Sequence, residues 1–326
     1  MSQLVAVDVG GTNARFALAE LDAGRVVHLG DACTLQTAAY DGLPSAWQEF
    51  ARLAGPLPRA ASIALAAPVQ ADEIKLTNNR WVIRPDRLAA QLQVDRVRLV
   101  NDFGAVGHAV AQLDEHHFRH LYGPLQSLPA RGTISIVGPG TGLGVGLLQR
   151  HEGRYQVIET EGGHVGFAPC DAVEDRLLVQ LRAQFGRVST ERVASGQGLP
   201  NLYQALCAQR GAVPQFRDPL ALWTAAVAAT DEFAAAALER LFLALGSVAG
   251  DLALAHGAAA VVIAGGLGAR LADSLLLSGF YQRFCAKGRY AQRMMSLPIK
   301  LITHPQPGLF GAAAAFADQA ATPELP

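Results

Sequence analysis

The stretch DVGGTN, Asp8 to Asn13, sets an acid, two adjacent glycines, a threonine and an asparagine between two apolar segments. Glycine is required where a Cβ would block the approach of backbone to a ligand, and the N–H groups of such a turn, with a threonine hydroxyl, can face phosphate oxygens. A hairpin that needs glycine only for its turn would use the same residues. A second turn, GPGTGLG from Gly138 to Gly144, repeats the composition. Gly11 and Gly140 are 140 − 11 = 129 apart, and the same offset joins Thr12 to Thr141, Leu18 to Leu147, Gly24 to Gly153 and Arg25 to Arg154. The chain reads as one strand, turn, strand design used twice, and two such tips facing each other would clamp a polyphosphate. A dinucleotide fingerprint is excluded, because the loop runs into LGVGLLQ, which reads as a strand where that motif needs a helix. Neither turn continues into Gly-Lys-Ser or Gly-Lys-Thr, so a Walker A loop is excluded too.

A polar pair, Asn101 and Asp102, follows the apolar run RVRLV. Ala105, Val106, Ala109, Val110 and Leu113 then mark one helical face, so the pair falls at the carboxyl end of a strand, where open α/β sheets place their ligands. An Asn or Asp before a helix also serves as its cap. Glu161 and His164 in EGGH, with Glu191 in ERV, could satisfy neighbouring hydroxyls of a buried polyol, although a solvated Glu and a hydrogen-bonded structural His are the ordinary fates of such residues.

The elements that must carry these residues alternate. Segments 3–9, 15–21 and 25–35 predict three strands in a meander; LPSAWQEFARLAG, RPDRLAAQLQ and GAVGHAVAQLD predict helices; AASIALAAPV and RVRLVNDF end in strand character. A second β segment opens at Thr133, a mostly helical region follows, and VVIAGGLGARL reads as strand, glycines, helix. Of 326 residues half are hydrophobic, and Lys plus Arg number 27 against 28 acids, so the net charge of -1 supplies no global attraction to nucleic acid or to an anionic membrane. Cys33, Cys170, Cys207 and Cys285 lack CxxC spacing, which fits a reducing compartment, and cytoplasm is the expectation. No signal-peptide pattern frames the first apolar run, and the uncharged stretch Leu252 to Ala269 contains His256 and several glycines and does not read as a membrane span.

With LTNNRW (Leu76 to Trp81), LVNDF, EGGHVGFAP (Glu161 to Pro169), ERVASGQGLPNLY (Glu191 to Tyr203), IAGGL (Ile263 to Leu267) and HPQPGLFGAAA (His304 to Ala314) in order, the chain resembles the bacterial glucokinases of the actin, hexokinase and Hsp70 ATPase superfamily over almost its whole length. The resemblance implies a two-lobed actin-like ATPase fold (ribonuclease H-like), with duplicated mixed-sheet α/β domains and a cleft between them. A small domain of residues 1–110 plus 303–326 and a large one of 111–302 are expected, hinged near 104–115 and 300–306. It implies that ATP lies across Asp8, Gly10, Gly11, Thr12, Asn13, Gly138, Gly140, Thr141 and Gly142, with Gly265 and Gly266 beside the nucleoside. Asp102 becomes the general base, and Asn101, Asp102, Glu161, His164 and Glu191 bind the sugar, joined by Thr77 and Asn78. Asp8 is expected to hold Mg²⁺ through water, since that ion keeps several waters and uses few carboxylates. Arg15 either approaches the phosphates or is an exposed strand arginine. Related ROK proteins place a zinc-binding histidine in a similar GH motif, but only Cys170 lies near His164, and no zinc is expected. A homodimer is implied, with glucose and ATP as small-molecule partners and neither nucleic acid nor membrane. Mannose, fructose or polyphosphate-dependent kinases, and a sugar-sensing non-enzyme on the same fold, are the competing readings.

Overall fold

A computed structural model of the chain describes residues 1–76 and 79–321. Thr77 and Asn78, expected at the sugar, and the tail 322–326 lie outside the described residues. The first third contains β1 (Ser2–Val9), β2 (Asn13–Asp22), β3 (Arg25–Leu29), β4 (Cys33–Gln36), α1 (Leu43–Ala54), β5 (Ala60–Leu65), β6 (Ile74–Lys75), β7 (Val82–Ile83), α2 (Pro85–Leu92), β8 (Arg96–Asn101) and α3 (Asp102–Gln112). Then come β9 (Phe118–Tyr122), β10 (Gly132–Pro139), β11 (Leu143–His151), β12 (Arg154–Thr160), α4 (Ala172–Phe185), α5 (Gly198–Gln209), α6 (Pro219–Ala228) and α7 (Glu232–Ala255). The chain ends with β13 (Ala260–Ile263), α8 (Gly265–Arg270), α9 (Ala272–Leu277), α10 (Phe280–Cys285), α11 (Ala291–Met295), β14 (Ile299–Ile302) and α12 (Pro307–Ala321). Two compact units result. The first takes Met1–Asp114, Val157–Glu159 and the segment from His304; the second takes Glu115–Gln156 and Thr160–Thr303.

In the first unit the sheet order is β3-β2-β1-β5-β8, with β4 also on β2; β1, β5 and β8 are mutually parallel and β2 is antiparallel to β1. Period-two alternation buries both faces. Val5, Val7 and Val9 join Leu43, Trp47 and Phe50 of α1 in one core, while Leu4 and Ala6 join Leu309, Ala312, Ala313 and Phe316 of α12 in another. The α12 side is built from Ala6, Ala17, Ala19, Ala60 and Ala64, small residues that let the helix lie close to the strands. The segment expected as one strand over 25–35 is two, because the chain breaks at Gly30, whose N–H bonds Leu18 O; β3 and β4 then pair with different halves of β2.

The other six-stranded sheet has the order β12-β11-β10-β13-β14-β9, mixed in direction; Val157–Glu159 of β12 count with the first unit and the rest of the sheet with the second, where α7 is central to the core. Helix α7 is long and apolar enough to cross a membrane, yet 67% of its apolar window is buried, with Leu241, Phe242 and Leu245 inside. Both units are α/β with mixed sheets, the duplicated architecture of the actin-like ATPases. The repeat extends to single dihedrals: Ala23 and Gly24 have φ of 47° and 77°, and Glu152 and Gly153 have 50° and 79°. Positive φ at both central residues is the primed turn that matches hairpin twist. The glycine turns differ in length. Val9 pairs with Ala14 across four loop residues, and Pro139 pairs with Leu143 across three.

His108, buried on α3, is predicted to make the fold acid-sensitive. Burial, aided by the charge of Arg98, lowers its pKa from 6.5 to about 4. The unfolded chain protonates near pH 6.5 and the folded one only near 4, so stability is complete above 6.5 and is lost as pH falls through that window, by about 3 kcal/mol in all. Chemical denaturation at pH 7, 5.5 and 4.5 should show the decline, and His108→Gln should flatten it.

Candidate active site

In the first unit, three parallel strand ends form one ledge. Val9 pairs with Leu65 and Leu65 with Asn101, so the DVGGTN turn and the Asn101–Asp102 corner are two strand spacings apart, about 10 Å. All four turn carbonyls are engaged by protein: Gly10 O accepts from Asn79 Nδ2 at 3.2 Å, Gly11 O from Thr37 Oγ1 at 2.9 Å, Thr12 O from the Thr37 N–H at 3.0 Å, and Asn13 O from the Gly10 N–H at 2.9 Å. A loop bound in this way has donors to offer a ligand, namely the amides of Gly11, Thr12 and Asn13 and the hydroxyl of the exposed Thr12. Thr37 and Asn79 were not legible as site residues. Asn79 belongs to the LTNNRW block, where its side chain also accepts the Trp81 N–H at 2.9 Å, whereas Thr37 carries no local signal at all.

Asp8 lies at the root of this turn, opposite Arg15, whose Nη1 is 3.4 Å from Asp8 Oδ2. Burial raises the Asp8 pKa, and Arg15 pulls it only partly back. The carboxylate nests against the first turn of α12, where a Cβ at Gly308 would stand 2.7 Å from Oδ2. Arg15 thus points to the acid.

Asn101 turns out to be the cap of α3 as well as a member of the polar pair. Its Oδ1 accepts from the N–H groups of Phe103 at 2.9 Å and Gly104 at 3.2 Å, and its Nδ2 donates to Ala67 O at 3.3 Å. The helix starts at Asp102, whose Oδ1 accepts the Phe103 N–H at 2.8 Å. At a helix N-terminus the backbone dipoles favour the ionised form of a carboxylate.

In the second unit, the other candidates converge on the start of β11. Leu143 N–H donates to Glu191 Oε2 at 2.9 Å, and a Cβ at Gly142 would overlap that oxygen. Gly196 N–H donates to Gly140 O at 2.8 Å. Gly265, at φ 82°, passes so close that its Cβ would be 2.6 Å from Pro139 O, while a Cβ at Gly266 would meet nothing within 4 Å among the described residues. The EGGH turn lies on the same strand: a Cβ at Gly163 would overlap Leu143 O, and one at Gly162 would be 2.7 Å from Val145 Cγ1. Its Glu161 and His164 side chains are 67% and 57% exposed and 3.9 Å apart, Oε2 to Nε2, a pair of polar groups presented together. Arg187 steadies this turn by donating to His164 O at 2.7 Å. The turn 138–142 therefore touches the segments bearing Glu191 and Gly265 directly. It carries no acid of its own, since Gly138 occupies the register position of Asp8.

Comparison with known proteins follows this geometry. A family model described as Glucokinase matches residues 4–319. The chain is 54% identical over 318 residues to a glucokinase of Zymomonas mobilis subsp. mobilis, spanning 97% of this chain and 98% of that protein. A crystal structure of glucokinase from an Antarctic psychrotroph matches with a TM-score of 0.84 at 32% identity, covering 97% of this chain and 98% of the other. Glucokinase from Balamuthia mandrillaris, crystallised in complex with glucose, shares the fold at a TM-score of 0.78 and 20% identity, over 98% and 94% of the two chains.

Two substitutions probe the geometry. Gly142→Ala drives the Glu191 carboxylate off the Leu143 N–H, and kcat/KM should fall by about 10-fold or more with little change in far-UV circular dichroism. Asp8→Asn replaces a buried carboxylate, which burial makes costly to ionise, by a neutral group of the same shape; Tm at pH 7 should rise while turnover is lost. A Tm that drops instead would mean that Arg15 outweighs the burial.

Proposed function

The chain belongs to the glucokinase family, an ATP-dependent kinase of glucose, and from that premise we propose which residues carry the transfer. The observation that supports the assignment is Asp102 at the first position of α3, about two strand spacings from the first glycine turn. A primary hydroxyl is a poor nucleophile at neutral pH. Asp102 accepts the proton of the glucose 6-hydroxyl as that oxygen attacks the γ-phosphorus; the new O–P bond forms, the bridging O–P bond breaks, and ADP leaves. Asn101 has a second amide N–H beyond the one given to Ala67, and it donates to a sugar hydroxyl. Glu161, His164 and Glu191 hold further hydroxyls, Glu191 through the oxygen not bonded to Leu143.

The amides of Gly11, Thr12 and Asn13, and those of Thr141 and Gly142, take the phosphate oxygens; Gly10, Gly138 and Gly140 leave the backbone bare beside them, the N–H groups of Gly10 and Gly140 being given to Asn13 O and Gly142 O, and Gly265 and Gly266 leave room for the nucleoside. Asp8 fits a magnesium role, because it is a buried carboxylate in a cradle that a side chain at Gly308 would fill. Mg²⁺, when bound, neutralises charge on the phosphates. Asp8 would hold it through water. All four cysteines are free thiols, which supports a cytoplasmic location, and a homodimer is the assembly the family resemblance implies.

Asp102→Asn should lower kcat by about 10²- to 10⁴-fold while calorimetric binding of glucose stays within about threefold of wild type. Near wild-type turnover would remove Asp102 from the base role. ADP release with mannose and fructose in place of glucose, and glucose 6-phosphate formation with polyphosphate in place of ATP, set the breadth of the acceptor and donor sites.

A further inference from the structure

Helix α3 carries Gly104 and Gly107 one turn apart, both buried. Glycine inside a helix is costly relative to alanine, so two of them early in the helix that bears Asp102 require a reason. Val157 and Glu159, members of the same unit, supply one. A Cβ at Gly107 would stand 2.6 Å from Val157 Cγ1, and one at Gly104 would overlap Glu159 Oε1. The bare stripe on α3 admits these two side chains and brings the Glu159 carboxylate to the strand-to-helix corner. There Oε1 accepts the backbone N–H of Asn101 at 3.0 Å. β8 is the end strand of its sheet, and an N–H on an edge strand is otherwise left to water, which holds no fixed direction.

We propose that Glu159 is a positioning residue for phosphoryl transfer. Its carboxylate holds the Asn101 N–H from outside the helix, while the Asn101 side chain caps Phe103 and Gly104 from within. The two sets of bonds together fix the backbone corner from which the Asn101 amide and the Asp102 carboxylate project. Glu159 touches no reacting atom in this role, and what counts is its acceptor oxygen. The inference rests on Asp102 being the base.

Steady-state kinetics with glucose and ATP on wild type, Glu159→Ala, Glu159→Gln and Gly104→Ala test it, each protein checked by a thermal melt. Misplacing a base by about 1 Å costs up to about 100-fold, so Glu159→Ala should lower kcat about 10- to 100-fold with KM for ATP changed less than about threefold. Glu159→Gln keeps an acceptor oxygen and should recover most of kcat. Gly104→Ala crowds the carboxylate away and should match Glu159→Ala; it decides alone if Glu159→Ala does not fold. A folded Glu159→Ala with wild-type kcat, or a Gln variant no better than Ala, overturns the proposal. An inactive wild type would instead remove the kinase reading on which it rests.

Discussion

In each unit, carboxylates beside the candidate residues meet backbone that has no side chain at the point of contact. Asp8 lies against Gly308, Glu159 against Gly104 and Glu191 against Gly142, and in each case a Cβ would collide with the acid. An acid brought that close loses water and must regain hydrogen bonds or a cation. Glu159 and Glu191 regain them from single backbone amides, those of Asn101 and Leu143. Among the described residues Asp8 has a long contact to Arg15 alone, and burial accordingly makes its ionised form costly. The difference separates acids that shape the backbone from the one suited to a metal.

The duplicated hairpin explains why the two glycine turns look alike and why they are not equivalent. Both hairpins end in the same primed turn, with paired positive φ values at 23–24 and 152–153. Yet the first loop is one residue longer, and its root carries Asp8 where the second has Gly138. In the second unit, two segments distant in sequence close over the turn instead, one through Glu191 and Gly196 and the other through Gly265. One turn brings a charge and the other brings a scaffold.

Much of this was legible in the residues. The 129-residue offset revealed the repeat, and the apolar run ending at Asn101 placed the polar pair at a strand end, where the structure has it. LGVGLLQ was read correctly as a strand from its pattern, and it became β11. The break at Gly30 was not legible, since a glycine amid β-prone residues reads equally as a bulge or an interruption. Thr37, Asn79 and Glu159 were missed for a common reason. Each acts on backbone far away in sequence, 26, 69 and 58 residues off, and no local pattern reports a contact of that kind. The trace that Glu159 leaves is on its partner, in the Gly104 and Gly107 spacing. Asn101 shows the opposite case, where cap and ligand-binding readings looked exclusive and one amide has donors and acceptor enough for both.

Helix α12 completes the first unit although it follows all of that unit's other described elements in the sequence. Leu309, Ala312, Ala313, Ala315 and Phe316 form the wall of one of that unit's two cores, against strands that begin at Ser2. During synthesis, the amino-terminal sheet leaves the ribosome with that face bare, while nearly all of the second unit is made as one intervening stretch. The order of emergence is therefore the reverse of the order of completion: the later half can close its core while the earlier half waits, its Ala-lined face open to chaperones or to misassembly, until the carboxyl-terminal helix is released.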